Sequence, residues 1–454
     1  MKKICILFLF LVGRLYAQPD FSNLSFSQAQ KQARIENKIL ALFILAEDCE
    51  CCNESLSRAF HVDPTAKAAY DKACISLRIE PNTPAFKEID SLYTIRNSFG
   101  VLYLSGDGYV LNRYRGSSTL GSMYLPPLDE AIKKNAFPDS NYIRAERSWA
   151  SGDHSLPVLY NLVYKRQQLG INTDELTEEL IEKAGADSAK SISFLQLIAR
   201  QSPIIGSNTE KYMYQNPSVF QTAWYLLPLQ ERTAINTTIQ AKSMQKAIRD
   251  KDRESAQKIA LATGRTYAEQ SAAAIAISSS MLNFYKGIKD TADLLDLAVD
   301  YYDRYWMTIS VDSVLQVDSL NMIRALKQAT PYPRSSVPME TGKIQMKRIV
   351  FAPSAQRYAR ELNNGAWTLL QFTHDSTYLH KACTWITRAL LFFEDPTYYD
   401  TYAQLLYNTG NRKDAIIQEE KAINLQIARK IPGTEFSKTL EKMKANLPDL
   451  TAPR

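Results

Sequence analysis

The stretch "AEDCECCNES", residues 46–55, sets Cys49, Cys51 and Cys52 within four positions. Thiolates attack disulfide sulfurs and leave from them, so closely spaced cysteines point first to thiol–disulfide exchange. Cys49 and Cys52 have Cys-x-x-Cys spacing. At a strand-to-helix turn, the exposed amides and positive dipole end of the following helix would favour a thiolate at Cys49. Cys52, one helical turn on, would then resolve a mixed disulfide formed at Cys49. Cys51 is a third thiol able to compete with either. Asp48 and Glu50 work against the reaction, because neighbouring negative charge disfavours a thiolate.

Two other readings of the cluster stay open. One is a static disulfide on a retained scaffold. The other is a soft-metal clip, since three thiols suit Cu(I) or Zn(II). His61 is the one histidine near them in sequence and reads as a solvent-facing residue at a helix end, so no metal and no cofactor is assigned. Cys74 sits in an apolar segment and Cys383 in a helical one, and both read as core.

A working pair must be held by rigid elements, and the surrounding residues predict them. Ser25 and Gln28 have capping-box spacing, and Ala29 and Ala33 lie one turn apart, so a helix is expected to end near Asn37. The apolar run Ile39–Leu45 follows at once and suits a buried central strand. After the cysteines, "NESLSRAF" reads as a helix and "ACISLRI" (73–79) as a second strand. Residues 99–116 give two strands about the turn Gly106-Asp107-Gly108, and "PPLDEAIKK" gives a closing helix.

This order, with these residues, resembles the thioredoxin fold, in particular exported bacterial thioredoxin-like domains that open with a similar helix. The resemblance rests on "SFSQAQKQARIENKILALFI", on the dithiol position of Cys49-Glu50-Cys51-Cys52, and on "YTIRNSFGVLYLSGDGYVLNRYRG" with its spacing to the hairpin turn. It covers about 120 residues, taken as a domain at 18–140. The chain departs from the family at two places. Asp48 stands where a tryptophan normally precedes the first cysteine. Phe99, nine residues before Gly108, stands at the position of the cis-proline that faces the dithiol. A cis bond before a residue other than proline costs roughly 2.5–4 kcal/mol, so a trans Ser98–Phe99 bond and an altered substrate groove are expected.

Residues 141–350 read as α-helical. "SLPVLYNLVYKRQQLG" stops at Gly170, and Asn172 with Glu175 begins the next helix. The aromatic stripe Tyr301, Tyr302, Tyr305 and Trp306 is better explained by helix packing than by a ligand groove. A proline-rich loop is expected near 330–345. In 351–454, Ala382 and Ala389 recur at Ala415 and Ala422, a shift of 33 residues, and Ala366 has a counterpart at Ala403. With Pro396 and Gly410 in place, the two copies resemble tetratricopeptide repeats, which usually bind other chains. The fold class expected is therefore an α/β thioredoxin-like N-terminal domain followed by an all-α helical-repeat region.

At 454 residues, with 45% hydrophobic and 22% charged side chains, the composition is that of a globular chain of two or three domains. Residues 1–17 read as a signal peptide: Lys2 and Lys3, a short apolar run, then a small residue before Gln18. The run is too short to span a bilayer. Cleavage there removes three positive charges and no negative ones, so the formal charge of +6 becomes +3. That is too little to argue for nucleic acid or a membrane surface as partner. No Walker loop, zinc-protease helix or serine nucleophile elbow occurs, and the histidines, His61, His154, His374 and His380, are scattered along the chain and give little support to a histidine-based triad. The functional expectation is an exported or periplasmic thiol–disulfide exchanger acting on client proteins held by the helical region. The alternative is a redox-silent thioredoxin-fold scaffold that binds proteins through its helical repeats.

Overall fold

The structure is a computed structural model, and it describes residues 21–46, 50–93, 95, 99–137, 141–328, 353–429 and 435–447, without the side chains of residues 50, 51, 57, 141 and 328. The signal-peptide reading of 1–17 and the proline-rich loop near 330–345 lie outside these residues.

A small α/β region comes first and a long helical region follows. Helix α1 (Phe26–Glu36) starts in the expected capping box: the Gln28 amide N–H donates to the Ser25 hydroxyl, and the Ser25 N–H donates to the Gln28 side chain. It ends on Asn37, whose left-handed backbone (φ 51°) closes the last turn. Strand β1 (Ile39–Ile44) is buried at every position. Next come α2 (Glu50–Val62), α3 (Pro64–Ala73), β2 (Cys74–Ile79), α4 (Pro84–Tyr93), β3 (Gly100–Leu104), β4 (Val110–Arg115) and α5 (Leu125–Ala136). Sequence reasoning did not identify α3. Its signal was Asp63 before Pro64, an N-cap whose carboxylate accepts from the Thr65 and Ala66 N–H groups.

The four strands form one mixed sheet in the order β2-β1-β3-β4. β1 runs parallel to β2, with Ile39 opposite Cys74 and Ile44 opposite Ile79. It runs antiparallel to β3, with Ile44 opposite Gly100, and β3 and β4 close an antiparallel hairpin. Side chains alternate across a strand, so β1 supplies two cores. Ile39, Ala41 and Phe43 pack with Leu56, Ala59, Phe60 and Tyr70 of α2 and α3. Leu40, Leu42 and Ile44 pack with Phe26, Ala29 and Ala33 of α1 and with Ile89 of α4. Burial on both faces explains the uninterrupted apolar run.

The helices are α6 (Asn141–Ala150), α7 (Leu156–Leu169), α8 (Asp174–Ala184), α9 (Ile192–Arg200), α10 (Asn208–Met213), α11 (Pro217–Tyr225), α12 (Leu229–Asp250), α13 (Arg253–Gly264), α14 (Gln270–Ile288), α15 (Thr291–Tyr305), α16 (Val311–Gln328), α17 (Ser354–Phe372), α18 (Ser376–Phe392), α19 (Pro396–Asn408), α20 (Arg412–Ala428) and α21 (Glu435–Lys444). The chain divides into two compact units between Ile239 and Gln240, within α12.

In the first unit, α7 ends at Gly170 (φ 68°) as expected. Arg113 of β4 donates to the Gly170 and Tyr93 carbonyls, fastening α7 and α4 to the sheet. The next helix starts one residue later than the capping argument placed it. Thr173 is the N-cap, and Asn172 instead accepts from the Asp174 N–H. Glu146 of α6 and Arg166 of α7 form a bidentate ion pair with little exposure. In the second unit, Tyr301, Tyr302 and Trp306 are buried among α17 and α18, so the aromatic stripe belongs to the core. The recurring alanines Ala366, Ala382, Ala389, Ala403, Ala415 and Ala422 are all fully buried, and α17 packs with α18 and α19 with α20. This is a repeat-like helical arrangement.

Candidate thiol site

β1 leads straight to the cysteines. Its carboxyl end is continued by Leu45, whose N–H donates to the Ile79 carbonyl, and α2 opens at Glu50. The hydrophobic side of α2, through Leu56, Ala59 and Phe60, is driven into the core against Phe43, Tyr70 and Tyr124. Phe60 meets Phe43 and Tyr70 edge-on, with ring centroids 5.7 and 5.0 Å apart. That packing fixes the helix direction and leaves its first turn at the end of the sheet.

Cys52, in that first turn, is half-buried and disulfide-bonded. Asp48 and Cys49 lie outside the described residues, as do the side chains of Glu50 and Cys51. His61 is exposed in the last turn of α2. The two described free thiols are unsuited to exchange. Burial pushes the Cys74 thiol up to about 12 and the Cys383 thiol up to about 11, so neither supplies a thiolate near neutral pH.

Asn53 is a site residue that sequence reasoning missed. Its side-chain amide donates to the Ala46 carbonyl at 3.0 Å and accepts from the Ala46 N–H at 2.9 Å. One side chain thus ties the end of β1 to the first turn of α2, across the segment that carries the cysteines. Nothing in local spacing marks it, because an Asn in a helical run has many uses.

Phe99 stands half-buried before β3, one residue beyond the Ile44–Gly100 pair, and its carbonyl accepts from the Gly116 N–H at 2.9 Å. Ser98, and with it the peptide bond expected to be trans, lies outside the described residues. The next residue, Gly100, adopts φ 129°, and a Cβ there would lie 2.2 Å from the Tyr114 carbonyl oxygen. Only glycine fits this backbone. Behind β3, the Tyr70 and Tyr103 hydroxyls hydrogen-bond to each other, and Tyr70 also donates to the Tyr124 carbonyl at 3.2 Å. Burial raises all three phenols, Tyr124 to about 12. They stay neutral and act as packing with satisfied hydroxyls.

Among the described residues no group of three or more His, Cys, Asp or Glu side chains could hold a metal ion, and no helix is long and apolar enough to cross a membrane. No protein-family model matches the chain, and no curated protein or solved structure matches it.

Proposed function

We propose that the chain is an exported thioredoxin-like protein whose Cys49–Cys52 couple exchanges disulfides with client proteins held by the tetratricopeptide-like helical region. The observation that carries this reading is the oxidised Cys52 in the first turn of a helix that leaves the central strand of a β2-β1-β3-β4 sheet. A buried central strand that leads to the cysteine helix, with a closing β3–β4 hairpin, suits the thioredoxin resemblance.

This reading pairs Cys52 with Cys49 on their Cys-x-x-Cys spacing. The adjacent Cys51 would bring the two Cα atoms to about 3.8 Å, shorter than the roughly 4.4 Å at which disulfides begin to fit. Cys5 belongs to the segment that export removes. In the oxidised protein a client thiolate attacks the Cys49 sulfur, forming a mixed disulfide and releasing the Cys52 thiolate, which takes up a proton. A second client thiolate then attacks the client sulfur of that bond. The client leaves as a disulfide, and Cys49 departs as a thiolate at the amino end of α2. Two electrons pass from client to protein, and the reverse sequence reduces a client. With Phe99 at the cis-proline position, the client backbone docks against a differently shaped segment ahead of β3.

The test is a thiol-trapping titration of the full chain in glutathione buffers of graded potential, with mass spectrometry assigning each cysteine. A reversible Cys49–Cys52 couple within about −270 to −120 mV supports the exchanger, and Cys49→Ser should abolish exchange with a disulfide-bonded client. A bond that stays locked throughout overturns it in favour of the redox-silent scaffold. In that case removal of residues 350–454 should abolish client capture while cysteine substitutions leave it intact.

A further inference from the structure

The buried face of α20 is made of Ala415, Glu419 and Ala422, so a carboxyl sits where an apolar side chain is expected. Glu419 is fully buried, and among the described residues neither of its oxygens accepts from an N–H or O–H donor. The group facing it is another carboxyl, Asp400 of α19, which is half-buried and accepts 3.0 Å hydrogen bonds at both oxygens from the Gln404 amide. Two ionised carboxylates cannot share such a place, but one proton between them satisfies both.

Among the described residues, no cation acts on Asp400 or Glu419 to do the same work. On α17, Arg360 and Glu361 act on Tyr398. On α18, Cys383 acts on Tyr402. On α20, Asp414 accepts from Asn411, and Glu420 is paired outward with Lys444 of α21. Asp400 and Gln404 on α19 are the groups whose influence reaches Glu419 or its partner.

We propose that Asp400 and Glu419 form a proton-shared latch that holds α19 against α20, closed while the pair keeps its proton and released when alkali removes it. Release would loosen the interface that buries Ala403, Leu406, Tyr407 and Ala415, at the repeat-like end of the chain. Burial first, and then the charge of Asp400, raises the Glu419 carboxyl from its ordinary 4.5 to about 9. A group whose pKa is raised by folding contributes stability that is fully present below the unfolded value and lost as pH rises through the folded one. The window is therefore about pH 4.5 to 9. Within it, the closed-to-open ratio should fall about tenfold for each pH unit.

The experiment is hydrogen exchange of the full chain, corrected for intrinsic rates, followed in peptides from α19 and α20 across pH 6–9. Protection should fall with pH in the wild type. It should become flat in Glu419→Gln, whose amide gives Asp400 a permanent donor in place of the proton. Asp400→Asn tests the same proton from the other side if the first variant does not fold. Infrared spectroscopy of the wild type at pH 7 provides a readout that needs no variant: a protonated carboxylic acid C=O band is expected, lost above pH 9. An unchanged pH slope in both variants, or no such band in the wild type, overturns the latch.

Discussion

The sheet region and the second helical unit are held together in different ways. In the sheet, order comes from backbone ladders and from apolar side chains that alternate between two cores; its hydroxyls, at Tyr70 and Tyr103, are satisfied within the core. In the second unit, acidic side chains tie helices that are far apart in sequence. Trp385 donates to Asp303 and Tyr378 to Asp296, each pair 82 residues apart, and Asp318 accepts from the Ser354 and Ala355 N–H groups at 2.9 and 2.8 Å. The lesson is where each region is vulnerable. The sheet fails where a backbone must pass close to another, whereas the helical unit fails where a carboxylate is removed.

The largest effect should come from the sheet. Gly100→Ala places a methyl group 2.2 Å from the Tyr114 carbonyl oxygen at φ 129°. Both faults act on backbone that cannot move without opening the β3–β4 pairing, so a loss of about 4 kcal/mol or more is expected. Urea unfolding of the full chain measures it. A loss under about 1 kcal/mol would show that the ladder can shift, and would break the comparison.

Next comes the Glu146–Arg166 pair, which tests whether helices of the first unit behave like those of the second. Glu146→Ala leaves the Arg166 guanidinium partly buried without its carboxylate and should cost about 3–5 kcal/mol. The double change Glu146→Met with Arg166→Leu should cost less than the single one, because the stranded charge goes too. If instead the double variant is the worse, the pair stabilises by attraction and not merely by avoiding a stranded ion.

Asp318→Ala should be smaller, about 2 kcal/mol, through loss of two charge-assisted bonds at the start of α17. The N-cap residue of α17 is Pro353, which offers no capping side chain, so Asp318 acts as a cap supplied from another helix. Thermal unfolding and exchange of the α17 amides report it. If Asp318→Ala costs more than Gly100→Ala, the ranking of the two regions is reversed.

These residues also mark what the amino-acid pattern could reveal. α1 and β1 were legible because their signals are contiguous: a capping box at Ser25 and Gln28, then seven apolar residues bounded by Lys38 and the acidic turn. The hairpin was legible because Asp107-Gly108 is a local turn signal. The repeat alanines were legible because they recur. Asn53, Asp318 and Glu419 were not, since each is defined by a partner on a different element or by burial that no neighbour announces. Gly100 was not legible either, because its positive φ and lack of room for a Cβ are set by the Tyr114 carbonyl on the neighbouring strand. At the thiol site, the spacing of Cys49 and Cys52 marked the cluster, while the side chain that braces it stayed hidden among helix formers.

The smallest effect bears most directly on the thiol chemistry. Asn53→Ala removes two hydrogen bonds to Ala46 without touching the apolar anchor of Leu56, Ala59 and Phe60. α2 should therefore stay docked, at a cost of about 1–2 kcal/mol. Under the proposed Cys49–Cys52 pairing, the two bonds to Ala46 help hold the cysteines in register for the disulfide to close. The Ala46 amide should exchange faster, and the oxidised form should lose more stability than the reduced one. Linkage then shifts the dithiol couple toward easier reduction, which the same glutathione titration would read. Equal destabilisation of both forms would mean that Asn53 merely braces the turn, leaving apolar packing of α2 to set the site, and the division between the two regions would become sharper still.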